Sequence, residues 1–278
     1  MVISFQHAYP PTQAPAGAAA FWFPFQKDRM IVQIRDEGVA LLEGDEESLF
    51  ASVAHTDVLY LGTLDGRVCM ACEIDEEATL PEGWRGLNIR ELFNHLPEAS
   101  YTIVGYAFQI LRWQHISRFC PVCATPTESL PGSWGRECPH CGHSSYPPVI
   151  PAIIVLVYKD DSILMAHKRG WGKRYGLIAG FVEPGESLEE CVRREIYEEA
   201  GLEVDKITYA ASQPWPFPSQ VMIGFTAHYV GGIAHPDEDE LDEVVWFTKD
   251  NLPQLPPPLS LAYTLVNGWV NASQSPPC

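Results

Sequence analysis

A chain of 278 residues is long for one minimal core and suits two domains with a small module between them. Apolar residues make up 46% of it and are spread throughout, which excludes a disordered chain; no apolar run approaches the roughly 20 residues that cross a bilayer, and Met1 to Pro10 lacks the basic start and apolar stretch of a secretory signal. A cytoplasmic protein without membrane partners is expected. The formal net charge of -18 disfavours non-specific binding to nucleic acid or an anionic membrane, and a phosphorylated substrate would need divalent cations to offset the repulsion.

Within a first region of residues 1–117, residues 1–86 carry short apolar runs joined by turn signals: Met30 to Leu42 broken at Asp36-Glu37-Gly38, and Val58 to Ile74 broken at Asp65-Gly66, a strong hairpin cue. Helical spacing follows over Asn88 to Leu96 and Tyr101 to His115, the second with Val104, Ala107, Phe108 and Leu111 on one face. The pattern predicts a mixed, mainly β N-terminal domain that ends in a helix. His55, His95 and His115 stand alone in it and form no catalytic constellation. Cys69 and Cys72 are spaced as a metal knuckle, but they fall in the strand-like run Arg67 to Ile74 and no second pair remains for them. Neither they nor Cys191 and Cys278 receive a role.

Residues 118–148 contain Cys120-Pro121-Val122-Cys123 and Cys138-Pro139-His140-Cys141, two knuckles separated by fourteen residues. One Cys-x2-Cys turn offers two thiolates to adjacent corners of a tetrahedron, and a second knuckle fills the other two. The prediction is a loop-dominated ribbon around one Zn2+. With four sulfur ligands that ion has no open position, so its role is structural.

Tyr146-Pro147-Pro148 marks the boundary to a third region, residues 149–278. Val149 to Tyr158 reads as a strand buried on both faces, paired with Ser162 to Lys168 across the turn Lys159-Asp160-Asp161. Gly180 to Glu186 then leads into Ser187, an expected N-cap with Glu190 completing a capping box, and a helix from Leu188 to Ala200 stopped by Gly201. On that helix Glu195, Glu198 and Glu199 stand at i, i+3 and i+4, so three carboxylates share one face. Such stacking repels. It is explained either by a solvated acidic face or by Mg2+ or Mn2+ held among hard oxygen ligands.

The spacing Gly180-x5-Glu186-x7-Arg194-Glu195-Ile196-Tyr197-Glu198-Glu199-Ala200-Gly201-Leu202 resembles the Nudix box at every defined position. The resemblance implies a C-terminal α/β/α sandwich on a mixed sheet, so that the whole chain combines α+β and α/β parts. It also implies a loop and helix that hold more than one Mg2+ or Mn2+ for attack of water on phosphorus. By the same resemblance Glu195, Glu199, Glu240 and the backbone carbonyl of Ala179 are the metal ligands. Glu198 is the group that orients or deprotonates the water, and Glu186 pairs with Arg194 in support of the loop.

About ten residues beyond the box, Ser212-Gln213-Pro214-Trp215-Pro216-Phe217-Pro218-Ser219-Gln220 alternates prolines with aromatics, as a rigid loop presenting aromatic surface would. It resembles the motif of the NADH pyrophosphatase subfamily, which also carries a four-cysteine ribbon before its Nudix domain. The subfamily's final serine falls at Gln220 here, with Ser219 one place earlier. The resemblance implies substrate contacts from Gln213 to Gln220, stacking on nicotinamide by Phe181 and by Tyr146 reaching over from the partner in a homodimer, a backbone contact at Ala262, and a further contact at Arg90. The implied reaction is hydrolysis of NADH to reduced nicotinamide mononucleotide and AMP. The same residues fit NAD+, ADP-ribose, diadenosine polyphosphates or the NAD cap of an RNA 5′ end. A rival of another class, a zinc-ribbon nucleic-acid-binding regulator with an inactive Nudix domain, needs a basic ribbon, whereas residues 117–148 hold only Arg118 and Arg136 as strong cations.

Overall fold

The computed structural model describes residues 5–9, 14, 19–36, 38–56 and 58–272. Met1, Pro10, Glu37 and Cys278, which entered the sequence reading, lie outside them. The chain divides into two units, residues 1–148 and 149–278.

In the first unit β1 (Phe5–His7), β2 (Ala20–Gln26), β3 (Arg29–Arg35), β4 (Gly38–Ala40) and β5 (Leu42–Gly44) precede the short helix α1 (Glu46–Phe50). They are followed by β6 (Leu59–Leu64), β7 (Arg67–Glu73), β8 (Trp84–Asn88), α2 (Ile89–Leu92) and α3 (Glu98–Ile116). The strands form one sheet in the order β1-β6-β7-β2-β3-β4, with β5 on β2 and β8 on β3, and β2 runs parallel to β7. The expected Asp65-Gly66 hairpin joins β6 to β7, and both turn residues take positive φ (51° and 78°), as a two-residue primed turn requires. Helix α3 begins three residues before its predicted start. It buries Val104, Ala107 and Leu111, while Phe108 is only half-buried and rests its ring on Phe25 at 5.4 Å. The predicted helix over Asn88 to Leu96 is helical only through Leu92 and continues as turns, capped at its start by the reciprocal Asn88 and Glu91 bonds.

The ribbon has three two-residue strands, β9 (Glu128–Ser129), β10 (Arg136–Glu137) and β11 (Ser144–Ser145), with β10 in the middle. Its two knuckles repeat one geometry. The N–H groups of Ala124 and Gly142 donate to the carbonyls of Cys120 and Cys138, each at 2.9 Å, and both residues sit in the left-handed region (φ 59° and 74°).

The second unit contains β12 (Ile150–Lys159), β13 (Ser162–His167), β14 (Ile178–Phe181), α4 (Leu188–Ala200), β15 (Leu202–Trp215), β16 (Gln220–Gly232), β17 (Glu243–Thr248) and α5 (Leu261–Asn271). The sheet order is β15-β16-β12-β13-β17, with β14 also on β12; β12 and β16 are parallel and the other pairs antiparallel. Alternation along β12 sets the layers. Ile153, Val155 and Val157 pack with Cys191, Val192 and Ile196 of α4, and Ile154 and Leu156 pack with Leu261, Leu265 and Val266 of α5. This is the expected α/β/α sandwich on a mixed sheet.

The buried stretch of β12 starts later than the apolar run suggests, because Val149 and Ile150 are exposed and full burial begins at Ala152. The α4 termini match the prediction. Ser187 and Glu190 form the reciprocal capping box, and Gly201 stops the helix at φ 67°. Ser187→Ala should lower stability by about 1 kcal/mol and Ser187→Asp by much less, read as urea midpoints at unchanged m-value.

Candidate active site

Helix α4 presents its acidic face beside the end of β14, and a glycine makes this approach feasible. A Cβ built on Gly180 would lie only 1.9–2.3 Å from the carboxylate atoms of Glu195, so no other residue fits there without displacing that side chain. Glu195 and Glu199 are both buried. Burial raises the carboxyl of Glu195, and burial followed by the charges of Glu195 and Glu240 pushes Glu199 up to about 8. Two carboxyls whose burial outweighs the nearby cations, Arg194 beside Glu195 and Lys168 near Glu199, are a donor set that hard divalent cations suit.

Arg194 organises the face. Its Nη2 donates to Glu186 Oε2 and to the Phe181 carbonyl, each at 2.9 Å, and its Nε donates to the other Glu186 oxygen. Its Nη1 reaches Glu195 Oε1 at 2.8 Å and Glu198 Oε2 at 2.9 Å. Arg194, helped by the Glu183 N–H, holds the Glu186 carboxyl down at about 2. The loop before α4 is therefore clamped to the helix by one guanidinium. Glu198 is the outermost of the three glutamates, with its side chain half exposed.

Glu240 reaches this cluster from a distant turn. The N–H of Asp237 donates to the Glu199 carbonyl at 3.1 Å, and the N–H of Glu240 to the Asp237 carbonyl at 3.0 Å, which ties the turn to α4. Glu240 pairs with Lys168 at 3.7 Å, and Lys168 also lowers the Glu199 carboxyl against the larger effects that raise it. The sequence reading missed Lys168 and the anchoring role of Asp237. A lysine at the end of β13, 72 positions from the acidic turn, carries no local signal of that pairing.

Among the other predicted residues, Ala179 and Phe181 flank Gly180 on β14, and Phe181 is half exposed. The segment Ser212 to Gln220 differs from the expected loop: residues through Trp215 belong to β15, Gln220 starts β16, and only Pro216 to Ser219 form the turn, with Phe217–Pro218 cis. Trp215 and Phe217 are half-buried and meet edge to face at 5.1 Å. Gln213 is engaged within the fold, its Nε2 donating to the Leu259 carbonyl at 2.8 Å and its Oε1 accepting from the Leu261 N–H at 2.9 Å. It thereby fixes the start of α5, where Ala262 is buried. Tyr146 and Arg90 belong to the first unit. Tyr146 is exposed with its ring against Gly135, and Arg90 is exposed on α2.

The four ribbon cysteines are within 4.8 Å of one another, with Sγ separations of 3.5 to 3.6 Å among the closest pairs. A tetrahedron of sulfurs around Zn2+ at about 2.3 Å has edges of about 3.8 Å, so the set fits that ion with slight expansion. Among the described residues no helix is long and apolar enough to cross a membrane.

Three family matches cover most of the chain. Residues 19–113 match the NADH pyrophosphatase-like rudimentary NUDIX domain, residues 117–146 the NADH pyrophosphatase zinc ribbon domain, and residues 148–264 the NUDIX domain. The NAD-capped RNA hydrolase NudC of Deinococcus radiodurans is 36% identical over 263 residues, covering 92% of this chain and 93% of its own. Proteins of the same name from Stutzerimonas stutzeri (40% over 208 residues, 74% of this chain and 75% of theirs) and Chromobacterium violaceum (39% over 218 residues, 78% and 82%) are similar as well. Likeness along nine-tenths of the chain, with rudimentary Nudix, zinc ribbon and Nudix regions in that order, makes this protein a member of the zinc-ribbon Nudix hydrolases of the NADH pyrophosphatase family.

Proposed function

We propose that the chain is a cytoplasmic, homodimeric NAD(H) diphosphatase that adds water across the P–O–P anhydride of NADH, releasing reduced nicotinamide mononucleotide and AMP. The observation that carries this reading is the pair of buried carboxyls Glu195 and Glu199, both raised by burial and by the charge of Glu240. Mg2+ or Mn2+, more than one ion, held by Glu195, Glu199, Glu240 and the Ala179 carbonyl, would neutralise the diphosphate and acidify the attacking water. Glu198, half exposed and tethered only through Arg194 among the contacts described, accepts the proton of that water. Arg194 and Glu186 keep the face in register. Phe181, Trp215 and Phe217 offer aromatic surface to the nicotinamide ring, with Tyr146 of the partner copy and Arg90 as additional contacts, and Pro214, Pro216, Pro218, Ser219 and Gln220 shape the wall around them. The working domain bounds are 1–117, 118–148 around the structural Zn2+, and 149–278.

The test is product analysis on a panel of NADH, NAD+, ADP-ribose and diadenosine polyphosphates after metal stripping. NADH should give reduced nicotinamide mononucleotide and AMP only once Mg2+ or Mn2+ is returned. Full NADH cleavage in excess EDTA, or release of free nicotinamide, would sink the proposal. A second reading, removal of NAD caps from RNA, uses the same residues and is favoured by the names of the relatives.

A further inference from the structure

The segment from Lys168 to Arg174 reads Lys-Arg-Gly-Trp-Gly-Lys-Arg, and places four of the chain's 18 strong cations in seven residues with no acid among them. In a protein of net charge -18 this concentration needs a reason. All seven residues are exposed, and the segment is fastened at several points. His167, itself bonded to Asp242 at 2.6 Å, meets the Gly172 carbonyl at 2.9 Å; the Trp171 N–H donates to the Lys168 carbonyl at 3.0 Å; and the Tyr175 N–H donates to the Gln254 carbonyl at 3.0 Å. The Trp171 ring lies over Gly176, where a Cβ would come within 2.8 Å of it, yet the residue remains 37% exposed.

Position gives the loop its meaning. Lys168 at its first residue pairs with Glu240, so the loop begins at the acidic wall of the site. Neutralising that wall accounts for Lys168 alone, since Arg169 and Lys173 have no carboxylate partner among the described residues. A free dinucleotide has a single diphosphate, which belongs at the glutamates. A ligand that extends past the site with further phosphates and unstacked bases is what exposed cations interleaved with an indole recognise.

We propose that the Lys168–Arg174 loop is the docking track for single-stranded RNA leaving an NAD cap, with Arg169, Lys173 and Arg174 on its phosphates and Trp171 beneath a base. This rests on the reading that the site hydrolyses the NAD diphosphate. Water then splits the cap anhydride into nicotinamide mononucleotide and an RNA with a 5′-monophosphate, and the loop holds the RNA product side. The acidic net charge confines RNA to this track and keeps general nucleic-acid binding weak.

The test uses the full chain with Mg2+ and compares wild type with Arg169→Gln/Lys173→Gln. Substrates are free NADH and an NAD-capped oligonucleotide of about ten nucleotides, a length within the range one single-strand groove engages. Each phosphate contact on a single strand contributes about 0.7 to the salt slope, so the double variant should flatten the slope of kcat/KM for the capped oligonucleotide by about 1.4 and lower it roughly tenfold at low salt. NADH turnover should stay within about twofold, because neither residue meets the diphosphate in this arrangement. Equal losses on both substrates would assign the loop to the dinucleotide, and no loss on either would make it solvated surface; both overturn the proposal. Anisotropy of a labelled 5′-monophosphate oligonucleotide reports the same salt slope without turnover. If neither substrate is cleaved, the hydrolase reading fails, and this binding measurement still decides whether the loop holds RNA.

Discussion

Glu198→Gln lowers kcat on NADH by about a thousandfold, with KM and the Mg2+ requirement nearly unchanged, whereas Glu195→Gln lowers kcat and weakens Mg2+ activation together. The difference follows from where the two carboxylates sit. Glu195 is buried against Gly180, so its loss alters the charge that recruits cations. Glu198 is half exposed and meets only Arg194 among the described contacts, a position that leaves one oxygen free to take a proton from water. Gln keeps the shape and the hydrogen bond to Arg194 but loses the basic lone pair. A general base is worth about a hundredfold to ten-thousandfold in rate. The check is steady-state kinetics on both variants over a Mg2+ titration. Retention of kcat within tenfold in Glu198→Gln would move the proton acceptor elsewhere, with Glu199 next in line.

The parts of the fold legible in sequence were those with a short-range physical cause. Two Cys-x2-Cys turns must bring four thiolates together, and the described knuckles do so with one repeated hydrogen-bond pattern. Ser187, Glu190 and Gly201 act within a few residues of themselves, and α4 begins and ends where they place it. Illegible were features that depend on tertiary position. The prolines of Ser212 to Gln220 suggested a loop, but β15 is an edge strand, whose outer side needs no N–H donors, so Pro214 is accommodated within it. Gln213 looked like a ligand contact, yet its amide is engaged at α5, 46 and 48 positions away. The pairing of Lys168 with Glu240 likewise depends on β13 and a remote turn meeting over α4. The first unit matches a rudimentary Nudix domain, but without the glutamate spacing of the box only its strands and closing helix were readable.

The metal-free protein should lose stability as pH rises from about 5 to 8, and Mg2+ should restore most of it at the upper end. Glu199 carries the argument, with its carboxyl near 4.5 when unfolded and pushed up to about 8 when folded. A group raised on folding contributes stability below its unfolded value and loses it as pH climbs through the folded value, and Glu195 is raised in the same sense. Glu186 has the opposite sign. Held at about 2 by Arg194, it contributes above 4.5 and weakens only in acid, so it is constant across this window. His167, raised by Asp242 and the Gly172 carbonyl, adds a loss in the same direction as Glu199, but Glu199→Gln leaves it in place. The expected result is a melting temperature in Mg2+-free buffer without chelator, which leaves the ribbon Zn2+ in place, that falls by about 5 °C or more between pH 5 and 8, a scale set by a few kcal/mol in a domain of this size. Mg2+ should raise it more at pH 8 than at pH 5, because cations bind the ionised carboxylates and compete with protons for them. Glu199→Gln should flatten most of the slope and raise the metal-free midpoint at pH 8, while abolishing most of the activity. A slope unchanged by that substitution, or a Mg2+ shift equal at both pH values, would show that the buried carboxyls are not where the cation binds.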